Sequence, residues 1–161
     1  MEAMGLINEA EKRLRARIKD AIDEGDRIIF LTEKGHLGQA LGKEAKNLAM
    51  MRELLKKDVK FVEWDEDKQI FVRNLFKPFD VASIRMEYGQ GPQIRVEGEA
   101  AEEVADAAEA QGFNNDGSWV RAIVEVEAKD KGKAIGKGGR NIASIRRIAK
   151  RHHEIDEVQV V

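Results

Sequence analysis

Residues 40–56 and 134–150 are two versions of one stretch, and no other feature of the chain restricts its fold as much. With Ala40 set on Ala134, Gly42 falls on Gly136, Lys43 on Lys137, Asn47 on Asn141, Ala49 on Ala143, Arg52 on Arg146 and Lys56 on Lys150. Leu41 on Ile135, Lys46 on Arg140 and Leu48 on Ile142 are conservative matches. Agreement at one glycine would carry little weight. Ordered identities through a glycine turn and the periodic run behind it imply a duplicated module. The 161 residues are enough for two small domains.

The second version is the richer in chemistry. Gly136, Gly138 and Gly139 surround Lys137, with Lys133 and Arg140 on either side. Glycines let a backbone approach a ligand closely and reach angles that other residues avoid, so peptide N–H groups here can converge on an anion. Ile142, Ile145, Ile148 and Ala149 follow at helical spacing with no breaker between them. The N-terminus of that predicted helix points at the glycines and favours a phosphate. Nucleoside triphosphate chemistry is not indicated, because Gly132 and Gly136 enclose three residues rather than the four of a Walker loop and Gly138 replaces Ser or Thr. No spacing of Gly132, Gly136, Gly138 and Gly139 gives the dinucleotide pattern either. What remains is Gly-x-x-Gly between Ile135 and Ile142, the loop with which a KH domain clamps a nucleic-acid backbone. The plainer alternative is a glycine-rich turn between helices with a solvated basic face.

In chain order, residues 6–18 are charged and helix-compatible, with Ile7, Leu14 and Ile18 on one stripe and a strand able to begin at Ala16. Residues 23–26 form a turn and 27–32 a β-branched and aromatic strand. The first glycine element and its helix run to Leu55, and residues 59–64 alternate as a strand. Ile70, Phe71, Leu75 and Phe76 predict the buried face of a short helix closed by Pro78. The second copy starts there, with strands at 81–87 and 119–127, a turn at 89–92, and a terminal strand at 157–161. Between them the spacing predicts a short strand at 93–97, an alanine-rich acidic helix at 99–110 and a loop at 112–117. That acidic helix has no counterpart in the first copy and is expected to be a solvated insertion. The division follows as a first domain at 1–77 and a second at 78–161, each strand, strand, helix, glycine loop, helix, strand.

The net charge is −2 and the isoelectric point about 6.0, so any nucleic-acid site must be built from local charge. The absence of cysteine excludes disulfides and thiolate zinc sites and agrees with a reducing, cytoplasmic setting. No signal peptide opens the chain and no apolar run approaches a membrane span. His152 and His153 are adjacent and diverge on a helix, and His36 lies in the other copy, so no metal site is expected. No nucleophile and base pair stands out, and Trp64 and Trp119 on strands read as core before they read as base-stacking platforms. The chain is not expected to be an enzyme or to need a cofactor, and is read as a monomer.

The order of elements resembles two tandem type II KH domains, an α+β fold in which a small three-stranded sheet is covered on one face by helices. Ile-Gly-Lys-Gly-Gly-Arg-Asn-Ile at 135–142, with Val-Glu-Trp at 62–64 and Phe-Val-Arg-Asn-Leu-Phe at 71–76, resembles the archaeal NusA-like transcription factors from about Arg27 onward. Members of that family are KH-only proteins without the additional portions of bacterial NusA. The resemblance implies binding of single-stranded RNA during transcription elongation, pausing or termination, with RNA polymerase as a partner. It points to Lys133, Ile135, Gly136, Lys137, Gly138, Gly139, Arg140, Asn141 and Ile142 as the RNA contacts, with Asn141 alternatively a helix cap. Arg146, Arg147, Lys150 and Arg151 could widen that surface. Gly42, Lys43, Lys46 and Asn47 form a weaker site, because Glu44 and Ala45 replace the last two glycines. Two alternatives stay open: a KH module of ribosome assembly, and a protein-interaction scaffold that has lost nucleic acid.

Overall fold

The computed structural model describes residues 3–91 and 117–161. The predicted strand at 93–97, the acidic helix at 99–110 and nearly all of the loop at 112–117 lie outside the described residues. The rest forms two compact units, Met1–Glu66 and Asp67–Val161. Each carries a three-stranded mixed sheet with helices against it, the α+β architecture expected of tandem KH domains.

The first unit runs α1 (Ala3–Leu14), β1 (Ile18–Asp23), β2 (Arg27–Thr32), α2 (Leu37–Leu41), α3 (Lys46–Leu55) and β3 (Asp58–Glu63). β1 pairs antiparallel with β2 across the tight turn at 23–26, where the Asp23 carboxylate accepts the Gly25 N–H at 2.9 Å. β3 returns parallel to β2, Ile28 beside Val59 and Phe30 beside Phe61, after the helical crossover that parallel neighbours require. Ile28, Phe30 and Val59 meet Leu6, Ala10 and Leu14 of α1, Ala40 of α2 and Met51 of α3 in one core. Ile18, expected on the helical stripe, instead opens β1. The chain leaves α1 at Arg15, which takes a φ of 54°, and the Ile18 N–H donates to the Glu11 carboxylate at 3.0 Å.

The second unit repeats the order as α4 (Lys68–Phe76), β4 (Val81–Gln90), β5 (Ser118–Val126), α5 (Ala128–Ile135), α6 (Arg140–His153) and β6 (Glu157–Val160). β4 is antiparallel and β6 parallel to the central β5. α4 starts at Asp67, whose side chain accepts the Ile70 N–H at 3.0 Å, a standard N-cap. It was expected to close the first copy, yet it packs on β4 and α6, so the units divide before it and not after it. Phe71, Val72, Leu75 and Phe76 are its buried residues along with Asn74, whereas Ile70 is 46% exposed. The reason is angular: Leu75, near the middle of the buried face, lies about 140° round the helix from Ile70. The turn expected at 89–92 begins later, because Gly89 and Gln90 extend β4 opposite Trp119 and Ser118. A Cβ at Gly89 would fall 2.1 Å from the Trp119 ring, so the strand glycine gives the indole its room.

The duplication read from the sequence reaches single side chains. Arg52 donates to the Val59 carbonyl at 3.3 Å and Arg146 donates to the Val158 carbonyl at 3.0 Å. These matched arginines tie α3 and α6 to the third strand of their own sheets.

Candidate nucleic-acid interface

Both glycine loops leave a short helix and enter a longer one along the same backbone path. α5 ends with the Gly136 N–H donating to the Gly132 carbonyl at 2.9 Å, and α2 ends with the Gly42 N–H donating to Gly38 at 3.0 Å. One turn on, Gly139 N–H donates to the Gly136 carbonyl at 3.0 Å, as Ala45 N–H does to Gly42 at 3.2 Å. Gly136 (φ 82°, ψ 165°) and Gly42 (φ 74°, ψ 175°) occupy a region that side chains all but forbid. The next departures are left-handed: Gly138 (φ 64°) and Gly139 (φ 75°) in the second loop, Glu44 (φ 54°) and Ala45 (φ 57°) in the first.

The asparagines lock this path. The Asn141 side-chain amide donates to the Ala134 carbonyl at 2.7 Å, and that of Asn47 donates to Gln39 at 3.3 Å. Each satisfies a carbonyl at the end of the preceding helix, where the helix itself offers no donor. Neither side chain caps the helix it begins. The close seat needs the first glycine, since a Cβ at Gly136 would meet the Asn141 backbone nitrogen at 2.8 Å. This role escaped the sequence reading, although the match of Asn47 with Asn141 was the signal for it.

The predicted contact residues then separate by burial. Lys133, Lys137, Gly138 and Arg140 are exposed, and Ile135, Gly136 and Asn141 are half-buried. A Cβ at Gly138 would touch nothing within 4 Å, so the loop's tip is open space. Gly139 is buried, and Ile142 is 0% exposed in the core with Ile145, Ile148 and Ala149. Ile142, expected among the RNA contacts, is fully buried and presents no surface. In the first loop Lys43, Glu44 and Lys46 are exposed, and Gly42 and Asn47 half-buried.

The other candidates have structural places. His36 Nδ1 accepts the Arg17 N–H at 3.2 Å, and His152 and His153 lie against Phe71, with ring centroids 6.1 and 5.1 Å away. Trp119 is buried with the Arg121 guanidinium 4.9 Å from its ring, and Lys19 sits 4.2 Å over Trp64. Among the described residues no helix is long and apolar enough to cross a membrane.

No family model matches the chain. Individual relatives do, nearly end to end. A protein of Halobacterium salinarum described as probable transcription termination protein NusA is 25% identical over 159 residues, which cover 99% of this chain and 94% of the relative. One of the same description from Halococcus morrhuae is 28% identical over 141 residues, 88% of this chain and 81% of the relative. The chain is a distant homologue of archaeal NusA proteins. A further NusA relative, from Methanocaldococcus jannaschii, is 24% identical over 94% of this chain and 68% of its own length. None of these descriptions names a catalysed reaction. The fold is shared with the crystal structure of APE1850, at a TM-score of 0.68 and 24% identity over 99% of this chain and 97% of that one.

Proposed function

We propose that the chain binds single-stranded RNA through the loop at 136–139 and acts in transcription elongation, pausing or termination, with RNA polymerase as its protein partner. The observation that carries this reading is the second loop itself. It keeps every glycine, leaves Gly138 unobstructed, and sets the exposed Lys133, Lys137 and Arg140 around the start of a 14-residue helix. A phosphate at that point meets backbone N–H groups, the positive end of the helix and full cationic charges together. A KH loop of this kind holds about four nucleotides of unpaired RNA, whose bases are free to lie on half-buried apolar surface such as Ile135. Asn141 and Ile142 serve by holding the loop's shape. The description of the distant homologues as probable transcription termination proteins supports a role in transcription over one in ribosome assembly.

In the first loop Gly42, Lys43, Lys46 and Asn47 offer the same path, but the exposed Glu44 puts a negative charge beside the phosphate. Repulsion at contact distance through water is roughly 1 kcal/mol. The first loop is therefore the weaker site.

The test is the affinity for short single-stranded RNAs across a salt series, beside a Lys137→Asp, Gly138→Asp variant. Aspartate tolerates left-handed angles better than most residues, so the fold survives, as circular dichroism will verify. Wild-type binding should weaken with salt and the variant should lose at least tenfold at each concentration. Equal binding by the two proteins, or none by either, overturns the reading; polymerase capture with the intact chain then decides the transcription assignment.

A further inference from the structure

The helix behind the first loop has an outward face that its counterpart in the second unit lacks. In the second unit α4 packs on α6, and Ser144 and Ile148 of α6 are buried. In the first unit α1 holds the place of α4 in the order of elements, yet it packs on β1 and α2. Met50 and Leu54, which match Ser144 and Ile148, are exposed on α3. Lys46, Ala49 and Glu53 are exposed with them. At 3.6 residues per turn Lys46, Met50 and Glu53 fall within about 60° of arc, and Leu54 stands about 40° beyond Met50. Opposite charges seven residues apart thus bracket Ala49 and Met50. Neither Lys46 nor Glu53 makes an ion pair among the described residues. At the same two places α6 has Arg140 and Arg147, which are like charges.

We propose that this face of α3 pairs with the same face of a second copy of the chain, the two helices antiparallel about a two-fold axis between Ala49 and Met50. A two-fold contact has to be self-complementary, and the order Lys46, Ala49, Met50, Glu53 meets that condition. Position 46 of one copy lies level with position 53 of the other, so lysine faces glutamate twice. The two Met50 side chains meet beside the axis, with Leu54 flanking them. The matched face of α6 would set arginine against arginine. A helix of 10 residues is about 15 Å long, and one face of it falls short of the roughly 800 Å² per partner that a stable interface buries. The association is therefore weak, and the chain is a monomer when dilute. Pairing draws Lys46 away from the phosphate path of the first loop, and it does not depend on the reading of the second loop as an RNA clamp.

The experiment is sedimentation equilibrium of the full chain from about 10 μM to about 1 mM, as wild type, as Lys46→Glu, as Glu53→Lys, and with those two variants mixed one to one. Wild type should pass from monomer toward dimer within that range. Each single variant sets like charges against each other at both ends of the contact and should raise the dissociation constant at least about tenfold. Mixing them restores two opposite pairs, since one chain is then acidic at both places and the other basic. The mixture should associate about as well as wild type. All the substituted positions are exposed, and circular dichroism verifies that each variant is folded. A wild type still monomeric at about 1 mM overturns the proposal and leaves Met50 and Leu54 to a helix of another protein. Self-association that neither reversal weakens also overturns it, because the contact then lies elsewhere on the chain. So does a mixture no more associated than its two components.

Discussion

In the loop before α6 the three departures from ordinary backbone angles are all made by glycine, and in the loop before α3 the second and third are made by Glu44 and Ala45. The path is nevertheless the same, closed by the same hydrogen bonds and by a matched asparagine. The difference between positions teaches which glycines define the shape. Gly42 and Gly136 sit where only glycine is at ease, and neither copy has lost its glycine there. The two positions that diverged are left-handed ones, which other residues can enter at roughly 1–2 kcal/mol each. The first unit has kept the loop's shape while changing its charge.

The helices behind the loops differ in a matching way, and here the largest effect is expected. Ile148 is 1% exposed, whereas its counterpart Leu54 is 43% exposed. Ile148→Ala should cost about 2–5 kcal/mol, the range for a buried aliphatic side chain. Leu54→Ala should stay within about 0.5 kcal/mol, as exposed substitutions do. Urea midpoints of the two variants test this, and similar losses would break the comparison by showing that α3 is covered in solution.

The glycines that define the path come next. Gly136→Ala and Gly42→Ala should each cost about 1–3 kcal/mol for the forced angle. Gly136→Ala should be the worse of the two. Its Cβ meets the backbone nitrogen of Asn141 at 2.8 Å, while that of Gly42 meets the Asn47 side-chain amide, also at 2.8 Å, and an amide can swing aside. Thermal melts that rank them the other way would show that the loop, not the helix start, gives way.

Much of this was legible in the chain because the duplication speaks twice. Ile142, Ile145, Ile148 and Ala149 declared their helix by spacing, and all four are buried as a regular apolar face must be. The same spacing could not say that Ile142 belongs wholly to the core, since an apolar residue beside a binding loop looks alike in sequence whether it faces sheet or ligand. Nor could it assign α4. Phe71 and Leu75 declare a helix with a buried side, but nothing local tells which sheet that side meets, and Pro78 after it reads as a domain end. The asparagine tie was missed for the opposite reason: a polar residue at a helix start suggests a cap, and only the preceding carbonyl's position reveals the actual partner.

The smallest effect is also the one that decides what separates the loops. In Glu44→Gly, Ala45→Gly, relief of two left-handed side chains is partly offset by the greater freedom that glycine gives the unfolded chain, about 0.4–1 kcal/mol per position. Two reliefs of roughly 1–2 kcal/mol less two such offsets leave an expected net gain of about 1–2 kcal/mol in stability. Removing the Glu44 charge should recover roughly 1 kcal/mol of phosphate affinity, near fivefold. Under the proposed function the second loop dominates binding, so the gain has to be read in the background of Lys137→Asp, Gly138→Asp, where the first loop is left to act. Recovered RNA binding there would mean that Glu44 and Ala45 alone silence a preserved clamp. No recovery, with stability raised as expected, would mean that the two loops differ in more than those side chains, and that the helices behind them, α6 without an acidic residue and α3 with Glu53, carry part of the difference.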